Sequence, residues 1–179
     1  MAWKGDGVDV SAHQIVFLVW IFCSFLVDAI GSATGSLIGE VRGRGEETGG
    51  LAREGVVLGA GAGVGLAGVI LAGAWGFDGI SAVCNGDGAV RDLVLLVLPG
   101  VVVMQPVNGF VFVADGVLQG MQEFEFEARA MILAVGIGVA VVAGMEVGGM
   151  GGGVLEHVWA GFAAMQFSRF LLTGRKLFR

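Results

Sequence analysis

Five apolar runs, each long enough to cross the hydrocarbon core of a bilayer, constrain this chain more than any other feature. A helix rises about 1.5 Å per residue, so about 20 apolar residues bridge the ~30 Å core. The runs extend from about Ser11 to Gly39, Gly55 to Phe77, Asp92 to Gly120, Ala128 to Met145 and Val154 to Thr173. None shows sustained strand-like alternation. The expected fold is therefore an all-α membrane protein, a polytopic helical bundle of about five transmembrane helices, with the lipid bilayer as its first partner. Composition agrees. Hydrophobic residues make up 55% and charged residues 15% of the chain, against about 25% charged for a soluble domain.

The first run has a competing explanation. Lys4 precedes the apolar core Ile15–Val27, and the small residues Gly31, Ser32 and Ala33 follow it, the outline of a cleaved signal peptide. Asp6 and Asp9 interrupt the basic region, and the small-residue helix pattern continues past Ala33. A membrane span accounts for both facts.

Thirty-four glycines with only two prolines exclude a collagen repeat and a Pro/Gly-rich linker. In membrane helices small residues let backbones approach closely. Gly55, Gly59 and Gly63, and in a second series Gly61 and Gly65, recur every four residues and mark packing faces of the second run. The same run contains Gly63-Val64-Gly65-Leu66-Ala67-Gly68, which matches a dinucleotide fingerprint. It lacks the preceding strand and the following acid that such a site needs, so packing is the preferred reading.

Charge gives orientation. Arg42, Arg44 and Arg53 lie around the first connection, and Arg175, Lys176 and Arg179 close the chain. The connections Asp78–Arg91 and Glu146–Gly153 are poor in base. Lys and Arg thus collect on one side, which the positive-inside rule assigns to the cytoplasm together with the C-terminus. The segment Met121–Glu127 falls on that side as a short acidic interfacial loop. The net charge of −6, without a basic cluster, excludes a nucleic-acid surface. Cys23 reads as a small hydrophobe, Cys84 lies far from it, and neither His13 nor His157 has metal-ligand spacing. No nucleophile elbow, zincin motif or P-loop is present, so neither an enzyme nor ATP-driven pumping by this chain is expected.

The third run carries the functional signal. Pro99 and Pro106 sit seven residues apart on one side of a helix, and each removes an N–H and disturbs the carbonyl four residues earlier. A merely bent helix would explain them. At ~100° per residue, however, Gln105, Asn108, Asp115 and Gln119 share one narrow arc with Phe112. Gly109, Gly116 and Gly120 adjoin it, and apolar residues fill the rest. A polar stripe on a membrane helix faces a cavity or a polar partner, and an acid such as Asp115 marks an ion pathway unless it is a helix-end residue near the surface. The first run repeats the pattern with Gln14, Ser24, Asp28, Ser32 and Ser36 on one broader face. In the last run, snorkelling to the headgroups accounts for Arg169.

These residues resemble a known family. Leu98-Pro99, Gln105-Pro106-Val107-Asn108, Phe112-Val113-Ala114-Asp115-Gly116 and Gly120 look like the pattern of multidrug and toxic compound extrusion (MATE) transporters, closest to their DinF-like branch. Ser11-Ala12-His13-Gln14 with Trp20, Ser24, Asp28 and Gly39, and Val158-Trp159-Ala160 with Arg169, are similar to other helices of that branch. The resemblance implies twelve helices in two six-helix lobes around a central cleft, of which this chain supplies the last five helices of the second lobe. The first lobe, as a missing N-terminal partner, and the helix opening the second would lie outside it. It also implies export of a small organic solute by alternating access in exchange for H⁺ or Na⁺, with no other cofactor. Gln105 and Asn108 would line the second-lobe cavity, with Asp115 and Asp28 deeper and Gln14 on the same pathway. In the NorM-like branch an acid implicated in cation binding aligns near Asn108. Here it is Asn, which weakens a sodium site in this lobe. The rival readings are a lipid-linked flippase of the wider superfamily and a non-transporting truncated or structural membrane protein.

Overall fold

The computed structural model describes residues 7–76, 79–84, 86–149 and 151–178. Lys4, Asp6, Phe77, Asp78 and Arg179, used in reading the sequence, lie outside the described residues. The described residues form five long helices, α1 (Gly7–Gly43), α2 (Gly49–Leu71), α4 (Gly88–Gly120), α5 (Phe124–Val147) and α6 (Val154–Leu177), and one short helix, α3 (Gly79–Val83). A π-helical stretch, Ala72–Gly76, extends α2. There is no strand among the described residues.

Among the described residues four helices are long and apolar enough to cross a membrane: α1, α2 with its π-helical extension, α4 and α5. The fifth expected span, α6, has 24 residues but is more polar, carrying Glu156, His157, Gln166, Ser168, Arg169 and Thr173. The difference has a physical reason. His157, Gln166, Arg169 and Thr173 are all buried inside the bundle, so the polar side of α6 is covered by protein.

Helix α4 is the central post. It packs most extensively against α1 and α2 and also against α6, whereas α5 packs mainly on α6. Over its apolar window α4 is 61% buried and α5 only 17%. The outer face of α5 presents Ile132, Leu133, Val135 and Val139, an apolar surface suited to lipid. Both prolines lie inside α4, which nonetheless runs as one helix of 33 residues.

Glycine makes these contacts possible. On α1, a Cβ at Gly31 would sit 2.6 Å from the Phe112 carbonyl oxygen, and one at Gly35 would overlap the Gly116 carbonyl. On α2, a Cβ at Gly59 would overlap the Gly109 carbonyl, and one at Gly63 would overlap that of Gln105, beside Pro106. Backbone thus lies against backbone on two sides of α4. Gly61, Gly65 and Gly68 meet nothing within 4 Å. Only the Gly55, Gly59, Gly63 series packs inside the bundle, and the expected packing role of the Gly61, Gly65 series is corrected.

The ends are tied by local chemistry. Asp87 caps α4, its carboxylate accepting from the N–H groups of Ala89 (3.0 Å) and Val90 (3.2 Å). The α4–α5 connection is shorter than the expected Met121–Glu127 loop, because Phe124–Glu127 already form the first turn of α5. There Glu125 pairs with Arg129 (2.5 Å), and Glu127 accepts from the Gln119 amide (2.9 Å). Arg42 donates to the Met121 carbonyl, and Lys176 pairs with Glu123 (3.1 Å), so the end of the bundle bearing α1 and α6 C-termini is closed over this turn.

Candidate functional site

A line of polar side chains runs through the middle of the α4–α6 contact. Asp115 on α4 is paired with Arg169 on α6. The same guanidinium donates from its second terminal nitrogen to Oε1 of Gln166 at 2.9 Å. The Gln166 Nε2 in turn donates to Oδ1 of Asn108 at 2.7 Å, back on α4. Asn108 and Gln166 are fully buried, and Arg169 is 6% exposed. Phe112 completes the arrangement, with the Arg169 guanidinium 5.6 Å from its ring centre.

Helix periodicity explains the assembly. Asn108 and Asp115 are seven residues apart and therefore two turns apart on one face of α4, while Gln166 and Arg169 lie one turn apart on α6. An arginine reaching a carboxylate inside an apolar bundle gains a charge-assisted bond. Either ion alone would be expensive there. The assignment of Arg169 to headgroup snorkelling is therefore corrected. Its side chain points inward and satisfies Asp115.

Gln105 extends the line by one turn. It is fully buried, and its Oε1 and Nε2, like Nδ2 of Asn108, have no hydrogen-bond partner among the described residues. From Gln105 to Asp115 the polar face spans ten residues, about 15 Å along α4 at the usual helical rise. Such a track presents amide donors, an amide acceptor and an ion pair. It is suited to holding a small polar or charged species by hydrogen bonds, and it contains no nucleophile–base arrangement.

The other predicted residues fall elsewhere. Gln14 and Asp28 lie on the exposed face of α1, with Ser32 and Ser36, while α1 buries Val16, Trp20, Cys23, Val27 and Gly31. Ser24 is buried and donates to the Trp20 carbonyl at 2.9 Å. Gln119 is exposed at the end of α4. The structure therefore joins Asn108 and Asp115 in one cluster, with Gln105 a turn away, and leaves Gln14 and Asp28 on a separate face. Pro106 lies beside the cluster where α2 passes at Gly63, and Pro99 is exposed two turns earlier. Sequence reasoning missed Gln166. Its three-residue spacing from Arg169 and seven-residue spacing from Thr173 were the available signal, because a polar face on an otherwise apolar helix implies a buried partner.

An aromatic array adjoins the cluster. Trp20 lies 6.1 Å from Phe112 and 4.6 Å from Phe162 between ring centres, the latter edge-on. Trp159 packs on Phe162 at 5.6 Å and on His13 at 5.9 Å. These rings seal α1 against α4 and α6, so the polar line is insulated by apolar groups.

Comparison with known proteins gives the family. The MatE family model matches residues 2–143. Protein DETOXIFICATION 44, chloroplastic, of Arabidopsis thaliana is 33% identical over 137 residues, which are 74% of this chain and 25% of that protein. Protein DETOXIFICATION 45, chloroplastic, of the same plant is 30% identical over 163 residues, 91% of this chain and 28% of that protein. The chain thus spans about a quarter of the length of the curated relatives it matches. No solved structure matches. With most of its residues covered by the family model, the chain belongs to the MatE family of transporters of the multidrug and toxic compound extrusion kind.

Proposed function

We propose that this chain is part of a secondary active transporter of the DinF-like branch that exports a small organic solute in exchange for H⁺ or Na⁺ by alternating access. The observation that carries this reading is the buried line Gln105, Asn108, Gln166, Arg169, Asp115 within an otherwise apolar bundle. Buried polar and ionisable groups are costly in a membrane and are characteristic of solute or ion pathways. Coupling requires differential affinity: the ion must favour one facing state and the solute the other. A set of polar groups shared between two helices provides contacts that differ between such states. Gln14 and Asp28, on the exposed face of α1, would meet the other lobe of a two-lobed transporter, across the cleft. The C-terminus is proposed to lie on the cytoplasmic or equivalent side, since Arg42, Arg44, Arg175 and Lys176 share that end. The printed names of both relatives favour a plastid membrane.

The test is gradient-driven export by the intact transporter in proteoliposomes, with Asp115→Asn and Asn108→Ala compared at equal protein level. Export is expected to fall about tenfold or more in Asp115→Asn, which removes a charged partner worth about 1.5–3 kcal/mol, and several-fold in Asn108→Ala, which removes a neutral hydrogen bond worth about 0.5–1.5 kcal/mol. Wild-type export by both variants would remove the α4 stripe from the pathway.

A further inference from the structure

The cation beside Asp115 is part of the protein. Arg169 reaches it from α6, is 6% exposed, and is held in place by Gln166 on one side and the Phe112 ring on the other. Gln166 then carries the contact to Asn108 at 2.7 Å. The guanidinium is thus fixed by three independent contacts, which a residue merely seeking the headgroups would not need. Glu127 of α5 accepts from Gln119 at the end of α4, and Asp28 of α1 lies on that helix's exposed face, so Arg169 is the cation paired with Asp115.

We propose that Arg169 is a positioning residue that acts as a tethered cation: it occupies the place at Asp115 from which a coupling ion would otherwise act, and through Gln166 it sets the orientation of Asn108. This inference rests on the reading of the α4 stripe as an ion pathway. It adds that Asp115 is satisfied internally whenever α6 lies against α4, and that a soluble cation reaches this carboxylate only in a state where Arg169 has withdrawn. Charge neutrality requires that exchange. An ionised carboxylate in this bundle keeps a cation, so the departing guanidinium must be replaced by a proton or a metal cation.

Removing the tether should therefore create a demand for a soluble cation. The experiment is thermal melting of the intact transporter in detergent at pH 5 and pH 8, with NaCl or choline chloride. Wild type, Arg169→Gln, Arg169→Lys and the double variant Asp115→Asn/Arg169→Gln are compared. Arg169→Gln is expected to melt lower than wild type at pH 8 in choline and to recover at pH 5 or in sodium. The recovery should exceed any response of wild type by about 5 °C or more, several times the shift usual for a surface substitution. Arg169→Lys, which keeps a charge without the fork, should need less of either cation. The double variant should lose the extra response altogether. An Arg169→Gln protein with wild-type dependence on pH and sodium would overturn the proposal. So would a double variant that keeps the extra response, since the cation would then act elsewhere. If Arg169→Gln alone fails to fold, the double variant decides: folding restored by neutralising Asp115 supports the tether, and no restoration overturns it. The melting readout is independent of export. A cation demand in Arg169→Gln together with unchanged export by Asp115→Asn would defeat the transport role of the stripe and leave the tether standing.

Discussion

At the scale of single residues, Gln105 and Gln166 make an instructive pair. Both are fully buried amides in an apolar bundle, and both belong to the same polar line. Gln166 uses its two ends, accepting from Arg169 and donating to Asn108. Gln105 uses neither. Leaving a partner unsatisfied costs about 1–3 kcal/mol, whereas replacing an unpartnered amide by an apolar group of similar size is close to neutral or stabilising. Gln166→Leu should therefore lower the midpoint of thermal or denaturant unfolding measurably, and Gln105→Leu should not. An equal loss in both would mean that Gln105 has an undetected role in folding. A stable Gln105→Leu protein that exports poorly would instead place its amide in the service of the solute or ion. Periodicity found Gln105, Asn108 and Asp115 because a polar arc on an apolar helix is visible from α4 alone. Headgroup snorkelling is the sequence's explanation for Arg169 because its partner lies 54 residues away, and one helix cannot reveal which side of its neighbour it meets.

At the scale of elements, glycine decides how closely α4 is held. Gly59 and Gly61 differ by two residues and look alike in sequence. A Cβ at Gly59 would overlap the Gly109 carbonyl and press on Val113, while one at Gly61 would meet nothing within 4 Å. Gly59→Ala forces two backbones apart and should destabilise by about 1–3 kcal/mol, as overpacking typically does. Gly61→Ala adds no clash and should be neutral or gain up to ~1 kcal/mol from the reduced freedom of the unfolded chain. Melting of the two variants side by side checks this, and a Gly61→Ala protein as unstable as Gly59→Ala would contradict the packing described. The four-residue spacing identified glycine faces from sequence, yet it marked two such series on α2. Only three-dimensional contact separates them, because a helix can turn either small-residue face inward. Boundaries were less legible. The α4 span is expected from the sequence to begin at about Asp92, but the helix starts at Gly88 behind the Asp87 cap. Asp92 and Arg91 are exposed within its first turns and therefore do not interrupt it.

At the scale of the whole molecule, the last of the five expected spans, Val154 to Thr173, is the one whose crossing the structure makes conditional on its neighbours. Four helices qualify by length and apolarity. Helix α6 does not, and alone in lipid its arginine would cost about 2.5–3.5 kcal/mol at the centre of a span. In the bundle that cost is offset, because Gln166 and Arg169 face α4 and are hydrogen-bonded there. The remaining faces of α6 carry Phe167 and Leu171, exposed and apolar. A helix of 24 residues is about 36 Å long, enough to cross as a member of the bundle with its polar side covered. The prediction concerns sidedness. In a background with Cys23 and Cys84 replaced by alanine, single cysteines are introduced as Glu46→Cys, Gly151→Cys and Arg175→Cys, all at exposed positions, in the intact protein. Sealed vesicles are then treated with a membrane-impermeant maleimide. Four crossings separate positions 46 and 175, so both should react from the same side, and position 151 from the other. If α6 only lay along the surface, position 175 would react together with 151 and opposite to 46. That outcome would break the α4–α6 polar line as a feature of the membrane interior, since Arg169 could not then reach Asp115 from within the bundle.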